Sequence, residues 1–375
     1  MPNGFEIRRS YDANDRLMQM RVLDKKNGID CRIIYTYDAA GNVLSQTIQG
    51  ANDEKLQTGY RYDWKNRLTH KTSLGKGTTK YLYDTNDRLI KEIRPNGYDV
   101  STDDGAGIVY SYDCRGNRVR EVNALGQLVQ EQNYSLQNLP TIQTDGLGNQ
   151  TTMDYTLDDQ MKDIQRGRNR EQKNLQSYAY NAQGQIIGIT DGNGERIAYD
   201  ADTWGRITGI GFSDGVREGY EYTPSGQVSK AIDGNGNLVQ YRYNRLGKLR
   251  ERIDQAGYNE TYQYDAEGNL ILHVDRDDRQ VYRTYNVFGA PVYEKVTDAN
   301  GDNPNITTYR YDSIGRLVKA VCDGHSYEYI YYAYNAQGQI VGITDGNGEK
   351  ITYDVDSWGR ITGIGFSDGV REGYE

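Results

Sequence analysis

The chain has 375 residues, 36% hydrophobic and 26% charged, with 34 Tyr and 43 Gly but only four Phe and six Pro. That is too little aliphatic material for one large round core, and too much aromatic and periodic content for disorder. The net charge of -9 arises from interspersed acids and bases, so no basic face for nucleic acid is present, and no run approaches the roughly 20 apolar residues that would insert in a membrane.

The opening MPNGFEIRRS has no apolar stretch of secretion-signal type. From there a turn-starting residue recurs at Asp12, Asp38, Asp63, Asp84, Asp113, Ser135, Thr156, Asn181, Asp202, Thr223, Asn244, Asp265, Asn286, Asp312, Asn335 and Asp356. These are sixteen units, and eight of the fifteen intervals are 21 residues. Longer intervals hold insertions, YDVSTDDGAG at 98–107 and TDANGDNPN at 297–305, which in a repeat map to loops. Residues 178–221 match 332–375 with five differences in 44 positions, and the second copy stops mid-strand. The expectation is a single continuous array over 1–375 that is part of a longer one.

The units share the approximate pattern Tyr-x-Tyr-Asp/Asn-x-x-Gly-Arg/Gln/Lys/Asn-apolar, as in YQYDAEGNL at 262–270 and YRYNRLGKL at 241–249. An Asp or Asn side chain at the turn start bonds the backbone two residues on, and the residue three positions on must accept positive φ, which together specify a type I turn with a Gly bulge. That third position is Gly41, Gly116, Gly184, Gly205, Gly226, Gly247, Gly268, Gly289, Gly315, Gly338 and Gly359, and otherwise Asp15, Asn66, Asp87, Asn138 and Asp159, the non-Gly types that best tolerate left-handed backbone. A second turn carries Gly215, Gly236, Gly257 and Asp278, each 13 residues after its turn start. Two short strands and two turns fill each unit. Across the first turn the pattern pairs Tyr264 with Leu270 and Tyr262 with Leu272. Alternation by two, broken by Gly, leaves almost no helix to expect. The predicted fold is all-β: tandem hairpins in one continuous antiparallel sheet. About 32 strands cannot stay flat, so the sheet is expected to spiral into an open or hollow shell.

The repeated YDAAGNV (37–43), YDSIGRL (311–317) and YDAEGNL (264–270) resemble the YD repeats of the Rhs family, which includes bacterial Rhs and wall-associated polymorphic toxins, C subunits of insecticidal toxin complexes, and teneurins. The resemblance covers nearly the whole chain. It implies a sheet spiralling into a shell, often around a toxic effector domain, in secreted or cell-surface proteins for which carbohydrate binding has been proposed. Relatives that release a payload self-cleave at Asp-Pro motifs, and this chain has no Asp-Pro pair, so no catalytic residue carries over.

The residues themselves point the same way. His70, His273 and His325 are isolated, Cys31, Cys114 and Cys322 lie far apart as free thiols, and neither set has a metal-ligand or disulfide spacing. No phosphate loop, dinucleotide fingerprint or nucleophile elbow occurs, so no enzyme, cofactor or metal site is expected. Asp298, Asn300 and Asp302 alternate as in a calcium loop, but Asn303 stands where Gly is required and Tyr309 where the closing Glu belongs. Trp64, Trp204 and Trp358 fall within first turns, where an indole either packs on the next hairpin or stacks on a sugar. The expectation is therefore a non-catalytic shell-wall scaffold, with an encapsulated effector or flanking parts of a larger polypeptide as partners. A carbohydrate-binding or adhesion module is the alternative.

Overall fold

The computed structural model describes residues 5–52, 54–168, 171–302, 304–323, 328–335, 338–356 and 360–373. Among them the backbone forms thirty-five strands and one short 3-10 helix, Lys25–Asn27. Thirty-three strands make one antiparallel sheet, and Tyr98–Asp99 with Asp104–Gly105 make a separate ribbon. Strands pair with their neighbours in sequence: Leu238–Tyr243, for example, lies between Val228–Ile232 and Leu249–Asp254.

The first turns have the predicted chemistry. At Asn244 the turn-start amide donates to Lys248 O at 2.9 Å and Gly247 N donates back to Asn244 O at 3.0 Å, a type I turn closed by a left-handed residue. Tyr243 then pairs with Leu249, as expected for every tyrosine directly before a turn. The next pair does not follow the simple count. The register shifts between Arg242 and Tyr243, so that Tyr241 meets Arg252. The pairing of Tyr262 with Leu272 is accordingly corrected by one residue: Tyr262 stacks on His273, with ring centroids 4.7 Å apart and 13° between planes. A second bulge adds a residue to the outgoing strand just past the Gly bulge and displaces the partner of every residue beyond it.

Two compact units are distinguished. One comprises Arg88–Lys91 and Gly107–Thr261. None of its described hydrophobic side chains is fully buried, and it is held by strand pairing and contacts between adjacent hairpins.

The other unit comprises Met1–Asp87, Glu92–Ala106 and Tyr262–Glu375. Here first turns late in sequence meet second turns early in sequence along a seam. Val22, Ile29 and Cys31 form a buried cluster, and Val287 and Ile314, each within a first turn, pack against it. Polar groups close the seam on both sides. Val287 N donates to Asp24 Oδ2 at 3.2 Å, Ala51 N donates to Ser313 Oγ at 2.9 Å, Ser313 Oγ donates to Glu54 Oε2 at 2.8 Å, and Asp30 N donates to Ser313 O at 3.1 Å. The partners in two of these bonds lie 263 and 262 positions apart. Gly50 is needed for the close approach, since a Cβ there would lie 2.1 Å from Ser313 Oγ and 2.9 Å from Ile314 Cγ2.

Two expectations follow from the turn and the seam. Gly247 has φ 76°, so Gly247→Val should cost roughly 1 to 2 kcal/mol more than Gly247→Asn, a difference readable as a lower melting temperature. Equal melting of the two variants would remove the left-handed turn from the account. Burial pushes the Cys31 thiol up to about 11, with Asp30 and Asp312 adding to it, whereas Cys114 is exposed. A thiol reagent should therefore modify Cys114 at once and Cys31 only when the seam opens, and Ile314→Asp should bring Cys31 labelling forward under native conditions. Equal labelling rates for the two thiols in the unmodified chain would contradict the seam.

Candidate functional site

The features repeated most faithfully are the contacts that clip each hairpin to the next, and one unit illustrates them. Asp12 Oδ1 accepts from the amides of Asn14 and Arg16, both at 2.9 Å, while Oδ2 accepts from Arg16 Nε at 2.6 Å. That places the guanidinium to reach onward. Arg16 Nη1 donates to Asp38 O, the turn start of the next unit, at 3.0 Å, and the guanidinium carbon lies 4.8 Å from the centroid of Tyr37. The Tyr37 hydroxyl in turn donates to Leu17 O at 2.8 Å, closing the loop between units.

The same arginine-on-tyrosine contact recurs at Arg67–Tyr83, Arg88–Tyr112, Arg206–Tyr222 and Arg316–Tyr334, at 4.6–4.9 Å. The hydroxyl-to-carbonyl bond recurs at Tyr155, Tyr180, Tyr243, Tyr285 and Tyr311, each at 2.7 Å. Where Asn replaces Arg it still bonds the turn carboxylate, as Asn42 does to Asp38 Oδ2 at 2.9 Å, and reaches the next turn at Asn66 Oδ1 at 2.8 Å. The side-chain bond from Asn42 is the largest cause holding the Asp38 carboxyl below its ordinary range, and Asn117 does the same for Asp113. Two units break the pattern, with Leu139 four residues after Ser135 and Ala290 four after Asn286. The buried Asn286 Nδ2 has no partner, whereas Asn181 Nδ2 donates to Gln185 Oε1 at 2.7 Å.

The first insertion builds a polar cluster that spacing alone did not reveal. The ribbon Tyr98–Asp99/Asp104–Gly105 carries Asp103 to His70 and Lys80, which face each other on adjacent strands. Asp103 Oδ1 accepts from the Tyr98 hydroxyl at 2.7 Å and lies 2.9 Å from His70 Nε2, while Oδ2 accepts from Lys80 Nζ at 3.0 Å. Tyr98 first, then Lys80 and His70, hold the Asp103 carboxyl far below its ordinary range. Each of the four side chains is engaged by another of them, so the arrangement latches the insertion to the sheet. Only the excess of acids in 98–107 hinted at this, because the partners lie 23 and 33 positions away.

The other sequence-derived candidates separate. Gly41, Gly116, Gly184, Gly205, Gly226, Gly247, Gly268, Gly289, Gly315 and Gly338 have φ of 73–94°, and the five Asp and Asn replacements 58–66°. Gly359 and Trp358 lie outside the described residues. Trp64 and Trp204 are 85% and 79% exposed and belong to different compact units. Each carries a cation over its ring, Lys65 at 5.4 Å and Arg206 at 4.8 Å. Trp204 borders an open cleft of about 510 Å3 shared with Tyr222 and Pro224. The Asp298 loop is a further Asp-capped turn: Asp298 Oδ1 accepts from Asn300 N at 3.1 Å and Asp302 N at 2.8 Å, so that oxygen is committed to backbone. No group of three or more potential metal ligands occurs among the described residues.

The chain has counterparts among known proteins. Residues 2–138 and 127–291 match the teneurin YD-shell family. The chain belongs to that family. Residues 334–371 match the RHS repeat. The chain is 27% identical over 216 residues to the tRNA3(Ser)-specific nuclease WapA of Bacillus spizizenii, a match covering 53% of this chain and 9% of that protein. It is 28% identical over 184 residues to the tRNA nuclease WapA of Bacillus subtilis, covering 49% of this chain and 7% of that one. These matches span less than a tenth of the relatives' length. Among solved structures, the TcdB2-TccC3 crystal structure superposes with a TM-score of 0.76 at 12% identity, covering 99% of this chain and 24% of that one. The Photorhabdus luminescens Tc holotoxin pore gives 0.69 at 12% identity, covering 98% and 26%. The YD-shell fold is thus common to these structures and this chain.

The latch makes a test local to the insertion at 98–107. Asp103 is depressed by its partners, so its grip is fully present above the ordinary carboxylate pKa and is lost as pH falls through the depressed value. Asp103→Asn should raise amide hydrogen exchange across 97–106 at neutral pH while leaving the sheet amides unchanged. Unchanged exchange in that segment would show that the insertion is held by other contacts.

Proposed function

We propose that the chain is a non-catalytic stretch of shell wall in a secreted or cell-surface protein, arranged as one array over 1–375 and enclosing an effector domain or flanking part of a larger polypeptide. The observation that carries this reading is the surface the fold leaves open: 23396 Å2 is accessible, against roughly 15,000 Å2 for a compact chain of this mass. Val22, Ile29, Cys31 and Ile93 are the buried hydrophobic side chains among the described residues, so the sheet has two accessible faces and little interior of its own.

A sheet of this length must bend. Thirty-three strands at about 4.8 Å spacing make a ribbon roughly 160 Å long, and open sheets rarely exceed about ten strands without curling. A curled ribbon of that circumference surrounds more space than side chains fill, and that space is the compartment for cargo. The turn carboxylates, arginines and tyrosines are spent on joining hairpins, which suits a wall. In this reading the nuclease activity named in the WapA relatives belongs to parts of those proteins outside the matched stretch.

Small-angle scattering tests the proposal. A curved, solvent-filled wall should have a radius of gyration well above the roughly 21 Å of a compact globule of this length. A value at or below that figure would mean that the sheet collapses on itself, and the shell reading would fall.

A further inference from the structure

The seam in the first unit gives specific meaning to side chains that lie exposed in the second. Along the seam the residues one or two positions after a first-turn start, Val287, Ser313 and Ile314, seat on the second-turn end of neighbouring hairpins around Val22 and Ile29. In the unit made of Arg88–Lys91 and Gly107–Thr261 four of the seven first turns carry a large apolar side chain at those positions, Leu136, Leu157, Trp204 and Leu246, and the second-turn edge carries Leu125 and Leu147. All six are between 74% and 104% exposed. An exposed leucine or tryptophan at one turn tip needs no explanation, but a row at equivalent positions on both edges of one ribbon does.

We infer that these two edges are complementary docking surfaces, and that the first-turn edge of one molecule seats on the second-turn edge of a second copy of this chain. The occupant follows from the established contact. The seam is made by a first-turn edge against a second-turn edge of this same repeat, with an apolar tip between hairpins and backbone amides met by side-chain oxygens, as Val287 N meets Asp24 and Ala51 N meets Ser313. The second unit presents the apolar part of that contact on each edge, Leu136, Leu157, Trp204 and Leu246 on one and Leu125 and Leu147 on the other. Because the edges differ, the association is head-to-tail rather than two-fold, and it extends from copy to copy unless the geometry closes it.

Two double variants test this on the full chain: Leu136→Asp with Leu157→Asp on the first-turn edge, and Leu125→Asp with Leu147→Asp on the second. All four side chains are exposed, so circular dichroism and melting should match the unmodified protein. In sedimentation velocity the unmodified chain should show mass rising with concentration, and each double variant should lose this. Mixing the two variants should restore a single one-to-one complex, since one intact edge of each kind remains. A second readout follows Trp204 in a Trp64→Phe, Trp358→Phe background, where indole emission should shift to the blue as concentration rises. A chain that stays monomeric at every concentration, variants that associate like the parent, or a mixture that does not pair would each overturn the inference. Failure here leaves the shell reading untouched, because scattering of the monomer tests that separately.

Discussion

A hairpin of six-residue strands has no interior, and an isolated two-stranded ribbon is marginal in water. The structure depends on how each hairpin is fastened to the next. The turn-start carboxylate is the centre of that fastening: one oxygen takes the turn amides, and the other takes the side chain four residues on, which is thereby aimed at the following unit. The tyrosine before the next turn receives the guanidinium on its face and returns a hydrogen bond through its hydroxyl. Neither contact is strong alone. A net hydrogen bond contributes about 0.5 to 1.5 kcal/mol and a partly exposed cation–π contact about 0.5 to 1 kcal/mol. Repetition of both along the array makes the sheet coherent, as in other arrays whose stability is a sum over nearest neighbours.

The seam adds a different kind of constraint. Clips between adjacent hairpins are local in sequence, whereas the contacts of Val287, Ser313 and Ile314 join segments about 260 positions apart, so closing them costs more chain entropy than closing a clip. They also account for most of the buried apolar material. Val22, Ile29 and Cys31 are buried because another edge of the same sheet covers them, and the equivalent tips in the second unit remain in solvent.

The sequence was readable wherever the cause was local. A turn-start Asp, Asn, Ser or Thr followed by Gly or its tolerant substitutes determines the turn, because the side-chain oxygen takes the turn amides and the residue three on accepts positive φ. The tyrosine directly before a turn meets the apolar residue beyond it for that reason, as Tyr243 meets Leu249. Tyr262 shows where counting stopped: the second bulge adds a residue and moves the partner from Leu272 to His273. No residue type marks that bulge in the sequence. The arginine four residues after the turn start was visible as a pattern, but its reach to the neighbouring carbonyl and ring was not.

By itself, then, the sequence determined the repeat, the turn type, the all-β class and the family resemblance, because each rests on chemistry within about ten residues. Tertiary structure alone decided what those hairpins touch. His70, isolated in sequence, meets Asp103 because an insertion folds back over two strands. Cys31, spaced like a bystander, is core because two turns from the far end of the chain close over it. Such contacts depend on the accumulated curvature of many small, similar twists between strands, a quantity that no single unit encodes.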